Sequence, residues 1–183
     1  YEGVNNAPML SKYGFGTSAY MDIRGRGEPI SVGGHALGVV PFFDSFVDMS
    51  QKVSQGSQRR GAWAGYIDID SKDFEELCLY IKQTPEDRNV GFCISDKFIE
   101  RWKSGDADAQ QRFAKSVSLA YGHGKGYLCK NDLANRLLPE YYKRAGLRFY
   151  ASNLCTEIMV GIDDTMDYTC IISSIVAKHW DKI

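Results

Sequence analysis

The sequence predicts an α/β fold, and three observations carry that prediction. Residues 60–69 (RGAWAGYIDI) alternate as a buried strand does. The segments on either side, 39–53 and about 72–82, instead place apolar residues at helical spacing. A second short apolar segment, 90–95, then follows a polar turn, so strands and helices alternate along the chain.

The elements follow in order. Residues 10–41 are glycine-dense, with Gly14, Gly16, Gly25, Gly27, Gly33, Gly34 and Gly38, punctuated by Pro29 and Pro41. Such density marks positive φ or close backbone approach, or simply a turn-rich loop, and both readings stand here. Within it, 17–23 is short and mixed enough to form a strand. Val39, Phe42, Phe43, Phe46, Val47, Met49 and Val53 predict a helix over 39–53 that starts near Pro41. Asp70 and Ser71 cap a helix over about 72–82, with Phe74, Leu77, Cys78 and Ile81 on one face. Residues 83–89 (QTPEDRN) form a polar turn and 90–95 a strand. Helices follow over 96–102 and 107–121, and 122–126 (GHGKG) ends the second. That stretch lacks the G-x-x-x-x-G-K-[ST] pattern of a phosphate loop, so it reads as a turn. A short strand over 127–130, a helical or irregular stretch over 131–142, and a last strand over 168–173 complete the expectation.

Composition narrows the function. The 183 residues suit one domain or a large piece of one. A net charge of -1 favours neither nucleic acid nor a membrane surface, and no apolar run approaches a membrane span. Residues 1–12 lack the basic head and apolar stretch of a signal peptide. Five scattered cysteines without a C-x-x-C pair argue against a disulfide framework or a zinc ribbon, and for a reducing compartment. Three dispersed histidines give no metal-ligand spacing. Cys78 and Cys93 read as core, as do Trp63, Tyr66 and Phe74. A start on Tyr1 and an end in mid-pattern at Ile183 suggest a piece of a longer protein or a split-gene product.

The most informative stretch is 151–158 (ASNLCTEI). Extended, it sets Asn153, Cys155 and Glu157 on one face, aiming an amide, a thiol and a carboxylate at one volume. The thiol suits a nucleophile or radical carrier, the carboxylate a general base, the amide an orienting donor. A cysteine that only packs a strand is the competing reading. This stretch resembles the N-L-C-x-E finger loop of class I and II ribonucleotide reductases. Four further segments resemble that family in the same order: 10–18 (LSKYGFGTS), 22–30 (DIRGRGEPI), 54–62 (SQGSQRRGA) and 169–174 (TCIISS). In the second, Glu28 stands where serine is common.

The resemblance implies part of the family's ten-stranded α/β barrel, with 1–183 as a partial barrel domain and a finger loop over about 151–158. It implies a transient thiyl radical on Cys155, with Glu157 accepting the substrate 3′-hydroxyl proton and Asn153 holding the sugar. Cys170 would be one of the two thiols that reduce the substrate and close into a disulfide, reopened by a thioredoxin- or glutaredoxin-type reductant. Tyr13 and Gly14 would join Asn153 and Glu157 in binding a ribonucleoside diphosphate. Specificity loops are implied over about 14–35 and 83–89, with Arg24 on the phosphates of a dNTP or ATP effector. Gln83, Arg88 and Asn89 would relay effector identity, although Asn89 reads equally as a strand-start residue, and Arg26 reads as a solvated charge.

The chain itself would bind no cofactor or metal, its radical coming from a separate metal-containing small subunit. The implied setting is a bacterial or phage-infected cytoplasm, in a homo-oligomer formed through the effector region and without DNA or membrane partners. The remaining parts of the large subunit would complete the barrel, so the chain alone is expected to be inactive. Residues 59–66 look more like class I proteins of phage and bacterial type. A class II, adenosylcobalamin-dependent segment and a non-catalytic nucleotide-binding module remain as alternatives.

Overall fold

The computed structural model describes residues 2–53, 60–83, 86, 88–163, 165, 166, 168 and 170, with side chains from residue 7 onward. Helix α1 (Glu2–Lys12) opens the chain and leads into strand β1 (Thr17–Tyr20). Helix α2 (Val39–Lys52), strand β2 (Trp63–Asp68), helix α3 (Phe74–Gln83) and strand β3 (Asn89–Cys93) follow. Helices α4 (Asp96–Lys103) and α5 (Ala107–His123) precede strand β4 (Tyr127–Cys129), and α6 (Asn131–Leu137) and α7 (Glu140–Arg144) come last.

The strands form one parallel sheet in the order β1-β2-β3-β4. Right-handed crossovers in a sheet whose order follows the chain place every crossover helix on the same face. That face carries the larger core: Trp63, Ile67, Val90 and Phe92 pack against Phe43, Phe46, Phe74, Leu77 and Leu119. Trp63 lies stacked on Phe46 and edge-on to Phe43, both at 5.0 Å between ring centroids. The opposite face presents Ala64, Tyr66, Cys93 and Cys129, covered by Ala134, Leu138, Phe149 and, less completely, Leu154. A parallel sheet with α2, α3, α4 and α5 on one side, and α6 with the chain segment after it across the other, is compatible with a sector of an α/β barrel.

The expected helices and strands form, with shifted ends. β1 stops at Tyr20 rather than 23, and β2 starts at Trp63 rather than 60. α3 opens at Phe74 because residues 71–73 make a preceding turn, in which Ser71 Oγ accepts from the Asp73 amide. The break after α5 is a glycine cap, Gly124 at φ 64. α1 was not expected from sequence. It ends in a Schellman arrangement: the Phe15 amide donates to Leu10 O at 3.1 Å and the Gly14 amide to Ser11 O at 2.9 Å, with Gly14 at φ 82. Trp63, Tyr66, Phe74, Cys78 and Cys93 are core, as expected. The 54–59 part of one sequence block, residues 84, 85 and 87 of the second specificity loop, and 169 and 171–173 of the last expected strand lie outside the described residues. Of that strand, Tyr168 and Cys170 are described and sit in no strand.

Among the described residues, no helix is long and apolar enough to cross a membrane.

Candidate functional site

The loop 149–161 lies over the inner face of the sheet, and its base is clasped. Arg148 and Ile162 exchange both backbone hydrogen bonds, at 3.1 and 2.9 Å, as an isolated antiparallel bridge. Asn135 on α6 donates to Phe149 O and accepts from the Phe149 amide, both at 2.9 Å, standing in for a neighbouring strand. Asn131 donates to Tyr150 O at 2.5 Å.

Within this frame the chain does not run extended through 153–157, which corrects the sequence expectation. The Thr156 amide donates to Asn153 O at 3.1 Å, closing a turn around Leu154 and Cys155. Asn153 makes that turn the better state. Its Oδ1 accepts from the Glu157 and Ile158 amides at 3.1 and 3.0 Å, so the side chain competes with any sheet ladder. Thr156 takes φ 69, alone among the described non-glycine residues in having positive φ. A β-branched residue in that region is strained by roughly 1–3 kcal/mol, held by its surroundings.

The turn still brings the expected groups together. Asn153 Nδ2 donates to Glu157 Oε1 at 2.7 Å, and the Cys170 thiol faces the same Oε1 at 3.7 Å. Desolvation, then the Glu157 carboxylate and the neighbouring Cys155, raise the Cys170 thiol above its ordinary value. Cys155 is exposed at the tip, whereas Asn153 is buried. Two thiols and a carboxylate thus lie at one corner, with the buried Asn153 amide behind them. That set can carry hydrogen-atom, proton and thiol–disulfide exchange.

The other proposed positions are more dispersed. Tyr13 is exposed and Gly14 terminates α1. Two residues further on, Gly16 touches the loop: a Cβ there would lie 2.3 Å from Leu154 Cδ2. Arg24 lines an open groove of about 730 Å³ with Asp22, Ile23, Ile30, Leu37 and Phe42, between the end of β1 and the start of α2. Gln83 ends α3. Asn89 Oδ1 accepts from Lys125 at 2.8 Å. Arg88 donates to the Tyr80 hydroxyl at 2.7 Å and to Asp44 at 3.1 Å, clamping the start of β3 to α2 and α3. Arg26 is exposed, as a solvated charge would be, and makes a bidentate surface pair with Glu76.

Sequence reasoning missed the residues beneath the loop. Ser18 Oγ donates to Ser152 O and Tyr66 OH to Asn153 O, each at 2.8 Å. Tyr20 and Asp68 share a hydrogen bond on the same face, where burial raises both groups. Strand parity is the signal that could have found them, since Tyr66 and Asp68 alternate with the core residues Ile67 and Ile69.

The ribonucleotide reductase barrel-domain model matches residues 1–111. A putative ribonucleoside-diphosphate reductase large subunit of Frog virus 3 is 29% identical over 169 residues, covering 80% of this chain and 30% of that protein. The alpha subunit of the Chlamydia muridarum ribonucleoside-diphosphate reductase is 24% identical, over 96% of this chain and 21% of its own length. Among solved structures, the class Id ribonucleotide reductase alpha subunit of Actinobacillus ureae superposes with a TM-score of 0.70 at 32% identity. That superposition covers 88% of this chain and 30% of that one. The chain therefore spans about a third or less of these relatives' lengths. It belongs to the ribonucleotide reductase large-subunit family, as part of its α/β barrel domain.

Proposed function

We propose that this chain carries the radical-bearing loop of a class I ribonucleoside-diphosphate reductase, with Cys155 as the hydrogen-abstracting thiyl. The observation that supports it most is the joint placement of Asn153, Glu157 and Cys170 around the turn that presents Cys155.

The Cys155 thiyl takes the 3′ hydrogen of a ribonucleoside diphosphate, forming S–H and leaving a radical at C3′. Glu157 takes the 3′-hydroxyl proton, and Asn153, already bonded to Glu157, orients that carboxylate and the sugar. The 2′ oxygen leaves as water. Two thiols, Cys170 and a cysteine outside this chain, close into a disulfide and supply two electrons and two protons. One proton leaves with the 2′ oxygen as water, one hydrogen goes to C2′, and Glu157 returns its proton to the 3′ oxygen. Cys155 then returns its hydrogen to C3′ and is a thiyl again. A thioredoxin- or glutaredoxin-type dithiol reopens the disulfide by exchange.

The radical comes from a separate metal-containing small subunit, and other large-subunit segments complete the barrel. The groove beside Arg24 suits a dNTP or ATP effector, with its guanidinium on phosphate and Ile23, Leu37 and Phe42 as apolar wall. Tyr13 and Gly14 belong to the substrate side, and Gln83, Arg88 and Asn89 to the relay from the effector. Association of two copies through the effector region is part of this reading.

The test is Cys155→Ser in the complete reductase with its radical-generating subunit. Turnover is expected to fall to background while effector binding stays intact. Retained turnover would mean that the loop is a nucleotide-binding or assembly element instead.

A further inference from the structure

Each strand of the sheet sends one inner-face side chain to the backbone of the loop. Ser18 of β1 bonds Ser152 O, and Tyr66 of β2 bonds Asn153 O. Cys93 of β3 makes a long S–H contact to Tyr150 O at 3.6 Å, and Cys129 of β4 meets the backbone of Ser152. Among these supports Tyr66 holds the backbone group nearest to Cys155 along the chain. Asn153 O accepts both its hydroxyl and the Thr156 amide, so a single oxygen joins β2 to the turn that contains Cys155.

The ring of Tyr66 is fully buried. Its place is made by Gly91, its register partner on β3, where a Cβ would lie 2.1 Å from Tyr66 Cε1. Burial also keeps the phenol protonated, so the hydroxyl remains a donor at every working pH. A core tyrosine needs none of this, because phenylalanine would fill the same volume. A buried hydroxyl, aimed at the carbonyl from which the turn springs and housed in a gap left by a glycine, is a geometric device.

We propose that Tyr66 is a positioning residue for the Cys155 thiol and that Gly91 is the space its ring requires. This rests on the reading of Cys155 as the radical-bearing residue. Hydrogen-atom transfer needs the sulfur held close to its target, and a misplacement of about 1 Å costs a rate factor on the order of 100.

The experiment uses the complete holoenzyme with Tyr66→Phe, Gly91→Ala and, as reference, Cys155→Ser. Tyr66→Phe keeps the ring and deletes the donor, and Gly91→Ala keeps the donor and displaces the ring. Both are expected to lower kcat about 10- to 100-fold at saturating substrate with KM nearly unchanged. Iodoacetamide labelling read by peptide mass spectrometry supplies a second measure, independent of turnover. Cys155 is already exposed, so its labelling rate is expected to change several-fold in both variants as the thiol moves, while the buried Cys78, Cys93 and Cys129 stay protected. Unchanged kcat and unchanged Cys155 labelling in Tyr66→Phe would overturn the proposal. Equal exposure of all the buried thiols would also overturn it, since Tyr66 would then serve the core at large. If Cys155→Ser retained turnover, the radical reading would fall instead, and the labelling result would still report whether Tyr66 places the turn.

Discussion

Replacing Asp73 by alanine removes both acceptors that tie the glycine-rich loop to the start of α2. Asp73 is buried, and its Oδ1 accepts from the Arg26 amide at 2.9 Å while its Oδ2 accepts from the Val39 amide at 2.8 Å. Val39 is the first residue of α2, and its N-cap, Gly38, has no side chain to supply a cap. Asp73 therefore caps α2 from another element. Gly38 must be glycine there, because at φ 83 an added Cβ would lie 2.8 Å from Asp73 Oδ2. Each hydrogen bond to a charged group is worth roughly 1.5–3 kcal/mol. Losing one should speed exchange at the Arg26 and Val39 amides about 10- to 150-fold, at 1.4 kcal/mol per factor of ten. The Arg26–Glu76 pair cannot compensate: it is about half exposed, and such pairs contribute about 0–1 kcal/mol. Hydrogen exchange read by mass spectrometry on peptides spanning these two amides is the assay, and it reports locally whatever the length of the protein. Asp73→Asn keeps one acceptor and should release one amide, not both. The reasoning fails if Asp73→Ala leaves both amides protected. Arg24 rides on the same loop, so if it holds the effector as proposed, the alanine variant should also weaken effector binding in the complete reductase.

Two further outcomes follow from contacts with the loop. Gly16→Ala pushes a methyl to 2.3 Å from Leu154 Cδ2, so either Leu154 moves or β1 does. Overpacking of this kind costs about 1–3 kcal/mol, and turnover should fall together with thermal stability; unchanged values would show that Leu154 swings away freely. Glu157→Gln removes a negative charge from the Cys170 thiol, whose titration is raised first by desolvation and then by that carboxylate. The thiolate is the reactive form, so alkylation of Cys170 should begin at lower pH in the variant. A profile that stays put, or moves to higher pH, would remove Glu157 from the surroundings of Cys170.

The helices were legible wherever spacing and caps agreed. Ser95 accepts from the Phe98 amide at 3.1 Å and Asp106 from the Ala109 amide at 2.8 Å, so α4 and α5 begin where such residues precede an amphipathic run. α1 was illegible for the opposite reason. Pro8 sits inside it, and Gly3 and two asparagines lower its intrinsic propensity. Packing of α1 on α2 outweighs that cost. Ser11 donates to Ser50 O at 2.8 Å, and the approach is so close that a Cβ on Gly61 would lie 1.9 Å from the same oxygen. Such a contact joins residues far apart in sequence and leaves no periodic trace.

The site divides along the same line. Residue types and order mark Asn153, Cys155 and Glu157, but the chain between them turns where alternation predicts an extended path. Alternation predicts an extended strand only when a ladder is available to satisfy the backbone, and this loop has none over its tip. Asn153 takes over the Glu157 and Ile158 amides, and Thr156 accepts a left-handed conformation to close the turn. Local hydrogen bonds alone leave such a turn free to pivot. What restricts it comes from the sheet: Tyr66 bonds Asn153 in the turn, and Ser18, Cys93 and Cys129 meet the loop just before it from three other strands. The identity of the thiol is a local property of the sequence, and its position belongs to the parallel register beneath it. A substitution at Gly91, more than sixty residues from Cys155 along the chain, should therefore reach the thiol as directly as one beside it.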